Sequence, residues 1–160
     1  NKLEHWRHVT DDVRHQRTVS INALALATEI QHVMQLARPE VAISWQVEHQ
    51  LESVNINADR TLLPALSNVI VNACDAQKQI SDAPVLASIM THQNGFCIEV
   101  RNAGHSDNLS QLGQRLMPSD DGHGAGAVIS NATLEKFGGT LRWTHANNEV
   151  VTWITLPLSS

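Results

Sequence analysis

The chain has 160 residues, 42% of them apolar, which suits one domain with a full core. Its formal net charge of −5 argues against non-specific nucleic-acid binding, which needs a basic face. No stretch reaches the apolar length of a membrane span, and the opening "NKLEHWRHVTDDVRHQ" is too polar for a signal peptide. The chain opens without methionine, as an excised fragment would. Cys74 and Cys97 lie in apolar runs and read as buried, reduced thiols of a cytoplasmic protein.

In chain order, residues 2–18 are charged, with Leu3, Trp6, Thr10 and Val13 at a weak coiled-coil-like spacing. Residues 20–37 predict a helix through Ile21, Leu24, Ile30, Val33 and Met34, ended by Pro39. "VAISWQV" alternates as a strand with Val41, Ile43, Trp45 and Val47 on one face, and "SVNIN" is a short second strand. Asp59 is the expected N-cap of a helix that buries Leu62, Leu66, Val69, Ile70 and Ala73, with Pro64 tolerable only in its first turn.

"PVLASIMTH" and "GFCIEVRN" predict two strands joined at Asn94–Gly95. Residues 103–121 read as a polar loop. A helix is expected from about His123 to Phe137, stopped by Gly138–Gly139. "TLRWTH" and "EVVTWITLPL" close the chain as a hairpin around Asn147–Asn148. This order predicts an α+β fold: a two-layer sandwich with a mixed, mostly antiparallel sheet and helices on one face.

Three stretches carry candidate chemistry. Gly122, Gly124 and Gly126 stand at alternate positions ahead of a helix, whose first amides have no internal partner. Such a terminus attracts an anion, and glycine admits it closely; phosphate is the natural occupant, and a flexible turn is the plain alternative. "QRLMPSDD" rather than a strand leads into these glycines, which excludes a Rossmann turn, and no Gly-Lys-Ser/Thr follows. In "ALSNVIVNACDA", Asn68, Asn72 and Asp75 fall at i, i+4 and i+7 on one helix face. They are either a solvated face or oxygen donors to a hard cation such as Mg²⁺ beside phosphates. In "CIEVRNAGHSDN", Asn102 ends a strand two residues before Gly104, where a polar side chain can read a planar ring or simply close a turn. His5 and His8 share a helical spacing, but nine histidines make such pairs common.

Together, Asn-x-x-x-Asn-Ala, strand-polar-x-Gly and Gly-x-Gly-x-Gly opening a helix that ends in Gly-Gly resemble the GHKL ATPase superfamily. Within it, the chain looks most like the catalytic, ATP-binding domain of bacterial sensor histidine kinases. The resemblance runs from about residue 20 to 158, through "ADRTLLPALSNVIVNACDA", "LEKFGGTLRW" and "VTWITLPL". It implies a Bergerat-type ATP-binding fold over 19–160, preceded in 1–18 by the tail of a dimerisation helix or a linker. It also implies ATP and Mg²⁺ as cofactors and γ-phosphoryl transfer to a histidine on a separate dimerisation domain. The response regulator would be an indirect partner. The fragment would face the cytoplasm without spanning a membrane.

By this resemblance Asn72 is the Mg²⁺ ligand. Asn68, one turn earlier near the phosphates, is the catalytic candidate, and Asp75 completes that face. Asn102 stands where the family usually has an aspartate accepting from the adenine amino group, and Gly104 admits the base. Gly122, Gly124 and Gly126, with His123 and Ala125 between them, match the phosphate box. Residues 105–121 match the ATP lid, in which Arg115 is the only full cation. The chain departs from the pattern at Asn102, at Ser106 in place of a glycine, and at Asp120 and Asp121 where a lysine is usual. These departures keep two alternatives in view: a degenerate module of the same fold that binds a partner, and another GHKL ATPase such as an anti-sigma-factor kinase.

Overall fold

The computed structural model describes residues 18–104 and 131–159. Five strands form one sheet in the order β2-β4-β5-β7-β6: β2 Ile43–Val47, β4 Val85–His92, β5 Gly95–Ala103, β6 Thr140–Ala146 and β7 Glu149–Pro157. Only the β2–β4 pair is parallel; the other three pairs are antiparallel. Two long helices, α1 Ala23–Ala37 and α2 Leu62–Lys78, cover one face of this sheet. β1 Val19–Asn22 and β3 Asn55–Ala58 pair antiparallel in a separate two-stranded ribbon. The expected two-layer α+β architecture is therefore present.

Alternation along the strands decides which side chains reach the core. Val85 and Ile89 of β4, Phe96, Ile98 and Val100 of β5, and Ile154 and Leu156 of β7 point toward the helices and join Leu66, Ile70, Ile30 and Met34 in one cluster. Leu62, Leu66, Val69, Ile70 and Ala73 are all buried, as the α2 stripe requires. Pro64 falls within the first turn, where its missing N–H costs nothing.

Residues 19–22 are a strand, not the start of the first helix, because their backbone pairs with Asn55–Ala58. The helix begins at Ala23, with Asn22 as N-cap: its Oδ1 accepts from Ala25 N at 3.1 Å while its Nδ2 donates to Glu52 O at 2.7 Å. Its buried stripe runs through Ala23, Leu26, Ala27, Ile30 and Met34, so Val33 lies to one side. Asp59 does not occupy the N-cap of α2, which is Thr61; Asp59 instead accepts from Thr61 N at 2.8 Å and from the Thr61 hydroxyl. A 3₁₀ turn at His49–Ser53 buries Leu51.

Both hairpins close with two residues at positive φ: Gln93 (52°) and Asn94 (61°), then Asn147 (55°) and Asn148 (61°). These are the primed-turn conformations that match strand twist. The first turn sits one residue earlier than Asn94–Gly95, because Gly95 already pairs with His92. Residues 131–136 are helical. That helix ends as expected, with Gly138 at φ 77° and Gly139 N donating to Leu134 O at 2.8 Å. A Cβ on Gly139 would lie 2.5 Å from Thr155 O, so the exit packs directly on β7. The first part of the same expected helix, the loop 105–121 and the segment 2–17 lie outside the described residues.

Cys74 and Cys97 are buried free thiols. Burial pushes the Cys74 thiol up to about 11, and burial with nearby Glu99 raises Cys97 as well. Among the described residues, no helix is long and apolar enough to cross a membrane.

Candidate functional site

α2 and the end of β5 supply the described part of the candidate site. On α2, Asn68 lies on the exposed side, while Asn72 and Asp75 are half-buried. Their 3.6-residue spacing aligns them away from the stripe of Leu66, Ile70 and Ala73. Asp75 is engaged: Arg38, the C-cap residue of α1, grips it with two bonds, Nε to Oδ1 at 2.7 Å and Nη2 to Oδ2 at 3.2 Å. The hydrogen bond to Asp75 raises the Arg38 pKa above its ordinary value. Asp75 thus joins α1 to α2, a contact across 37 residues of sequence that spacing alone does not reveal.

Asn102 is 6% exposed, on the helix-facing side of β5 opposite Val150 of β7. Its Nδ2 donates to the Ala103 carbonyl at 2.9 Å. This fixes the amide with its oxygen as the end turned away from that carbonyl, the end suited to accept from an amino group. The strand end around it is held from three sides. Ala103 N donates to Gln77 Oε1 on α2 at 2.5 Å. Gly104 N donates to Asn148 O in the β6–β7 turn at 2.9 Å. His145 Nε2 donates to Gly104 O at 3.1 Å.

Three residues here were not singled out from sequence: Gln77, His145 and Thr152. Thr152 is 6% exposed on the helix-facing side of β7, opposite Val100. Gln77 did leave a trace in the sequence, since it lies in line with Leu66, Ile70 and Ala73, and a polar residue on a buried stripe needs partners.

A second connection ties α2's approach to the helical residues 131–136. Lys136 Nζ lies 2.6 Å from Asp59 Oδ2, whose side chain is fully buried. Burial alone would push the Asp59 carboxyl up, but the bonds from Lys136 and Thr61 outweigh it and hold the group below its ordinary value.

Among the described residues, no group of three His, Cys, Asp or Glu could hold a metal ion. Of the three candidate oxygen donors on α2, Asp75 is taken by Arg38, and the side-chain oxygens of Asn68 and Asn72 are of the kind a hard cation takes. Arg115, Gly122, His123, Gly124, Ala125 and Gly126 lie outside the described residues.

No curated protein sequence matches the chain. Among solved structures, the catalytic domain of the histidine kinase ThkA is similar with a TM-score of 0.69 at 19% identity, over 88% of this chain and 95% of that one. The mycobacterial sensor histidine kinase MprB is similar with a TM-score of 0.67 at 17% identity, over 88% of this chain and 97% of that one. The histidine kinase AdeS of Acinetobacter baumannii gives 0.61 at 13% identity, over 100% of this chain and 82% of that one. At these identities the likeness is one of fold. The profile of the Histidine kinase-, DNA gyrase B-, and HSP90-like ATPase family matches residues 57–160, from β3 through α2 to the end of the sheet. The chain belongs to that ATPase family.

Proposed function

We propose that this chain is the ATP-binding catalytic domain of a two-component sensor histidine kinase, and that residues 19–160 form that domain. It binds Mg-ATP and presents the γ-phosphoryl group to a histidine on a separate dimerisation domain. The observation that carries this reading is the buried Asn102 at the end of β5, beside an α2 that bears Asn68 and Asn72. Asn102 Oδ1 accepts from the adenine amino group, and Gly104 lets the base approach. Asn72 would hold Mg²⁺ beside the phosphates, and Asn68 would stand near them as the catalytic candidate. Gly122, Gly124 and Gly126, with His123 and Ala125, receive the phosphates on backbone amides, and Arg115 supplies charge from the lid. Asp75 supports the site through Arg38, because its carboxylate is already paired.

When bound, Mg²⁺ neutralises charge on the transferring phosphoryl group. Phosphoryl transfer depends on such positioning and neutralisation rather than on covalent work by the protein. The bond from the γ-phosphorus to its bridging oxygen breaks, a bond to the acceptor imidazole nitrogen forms, and ADP leaves. The test is to mix the fragment with γ-labelled ATP and a dimerisation domain carrying its histidine. Acid-labile, alkali-stable label on that domain is expected; no transfer despite measurable ATP binding would contradict the kinase reading.

The neutral Asn102 favours one second reading. An amide accepts a weaker hydrogen bond than a carboxylate, which fits a partner-binding module with low nucleotide affinity.

A further inference from the structure

We propose that Gln77 is a positioning residue for base recognition, acting as a side-chain peptide group that clamps the end of β5 to α2. The inference rests on the reading of Asn102 as the base-reading residue. It follows from where two strands part. β4 and β5 pair from His92↔Gly95 to Leu86↔Arg101. Continued by two residues, that register would set Ala103 opposite Pro84, which lies before β4 begins and beyond the last paired residues of the two strands. The Ala103 amide therefore runs past the end of its ladder.

Gln77 fills the gap. Its Oε1 accepts from Ala103 N at 2.5 Å, and its Nε2 donates to Ala83 O at 2.6 Å. A primary amide carries both groups of a peptide bond, so one side chain stands in for the missing strand residue on both sides. Gln77 is 3% exposed, so neither bond is open to exchange with water. Its main chain fixes the same junction: Gln77 O accepts from Ile80 N at 3.0 Å and from Ser81 N at 2.9 Å. Ser81 Oγ then accepts from Ala83 N at 3.0 Å.

The consequence is mechanical. Ala103 lies between Asn102 and Gly104, and the Ala103 carbonyl orients the Asn102 amide. Gln77 follows Asn72 by five positions on the helix, an axial rise of about 7.5 Å. One rigid helix thus carries the proposed metal ligand and sets the position of the base-reading strand end. Gln77 touches neither nucleotide nor metal in this scheme.

The test compares Mg-ATP with the Mg complex of purine riboside triphosphate, which lacks only the amino group, by calorimetry on the whole chain. One neutral hydrogen bond predicts a preference for ATP of about fivefold in the unaltered protein. In Gln77→Met the preference should fall to about one, while affinity for the purine analogue stays within about twofold of the unaltered protein. Gln77→Glu keeps the acceptor for Ala103 and should retain the preference. If Gln77→Met does not fold, Gln77→Asn takes its place: one methylene too short to reach Ala103, it should lose the preference too.

Amide exchange at Ala103 without nucleotide reads the clamp directly and should accelerate by about tenfold or more in Gln77→Met. An unprotected Ala103 amide in the unaltered protein, or a full ATP preference in Gln77→Met, would overturn the proposal. So would loss of the preference in Gln77→Glu while Ala103 stays protected. Absence of Mg-ATP binding to the unaltered protein would instead overturn the functional reading on which the proposal rests, leaving the exchange result to judge the clamp alone.

Discussion

Replacing Asn102 by aspartate restores the residue usual in this family and sets two opposing effects against each other. Asn102 Nδ2 donates to the Ala103 carbonyl at 2.9 Å from a site only 6% exposed. A carboxylate cannot donate. Losing that bond costs about 1 kcal/mol, and leaving a carboxylate oxygen against a carbonyl with little water costs about 1–3 kcal/mol more. The unliganded thermal midpoint should therefore fall by roughly 5–10 °C for a domain of this length. On the proposed reading, the carboxylate would accept a charge-assisted bond from the adenine amino group when nucleotide binds. Such a bond is about twice as strong as a neutral one, a gain near 1 kcal/mol or about fivefold in affinity.

Selectivity should move as well. Guanine presents a carbonyl where adenine has the amino group. The amide of Asn102 can flip to meet it only by giving up Ala103, at about 1 kcal/mol, whereas the aspartate repels it outright. Asn102→Asp should thus raise the ratio of ATP to GTP affinity. The assay is a thermal melt without ligand, paired with calorimetric titrations of both proteins with Mg-ATP and Mg-GTP. A variant with an unchanged midpoint and unchanged affinity for both nucleotides would refute both the Ala103 contact and the base-reading role.

Three further outcomes follow from the same geometry. Asn72→Ala should abolish the Mg²⁺ dependence of nucleotide binding while moving stability by less than about 0.5 kcal/mol, since its side chain is half-buried and outside the apolar stripe; a large loss of stability with unaltered binding would make Asn72 structural. The Asp59 carboxyl is held below its ordinary value, so its stabilisation is fully present above the unfolded pKa of about 3.9 and is lost as pH falls through the folded value. Asp59→Asn should therefore be less stable at neutral pH, with the gap to the unaltered protein closing below about pH 4 in denaturant melts; a gap independent of pH would exclude the pairing with Lys136. Gly139→Ala should lose about 1–3 kcal/mol in urea unfolding, because its Cβ would meet Thr155 O at 2.5 Å; an unchanged midpoint would show that the helix exit is not packed so closely.

Periodicity and turn chemistry made much of this fold readable. The apolar spacing from Leu62 to Ala73 marked α2, and Asn147–Asn148 marked the second hairpin within the chain. The Gly138–Gly139 stop was visible because only glycine readily takes the positive φ there. β1 escaped because four residues containing Val19 and Ile21 suit a strand and a helix start equally, and pairing with β3 decides between them. Sheet order and the β2–β4 parallel pair depend on contacts far apart in sequence. The candidate site divides in the same way. Asn68, Asn72, Asn102 and Gly104 stood out by spacing. The bond from Arg38 to Asp75 and the double contact of Gln77 depend on where separate elements end relative to one another, which local pattern does not encode.

The most direct test of the proposed function is a calorimetric titration of the unaltered chain with Mg-ATP, repeated with a chelator present. The proposed function predicts saturable one-to-one binding that weakens when Mg²⁺ is removed and is stronger for ATP than for GTP. No heat of binding with Mg-ATP, or binding indifferent to both the metal and the base, would contradict it.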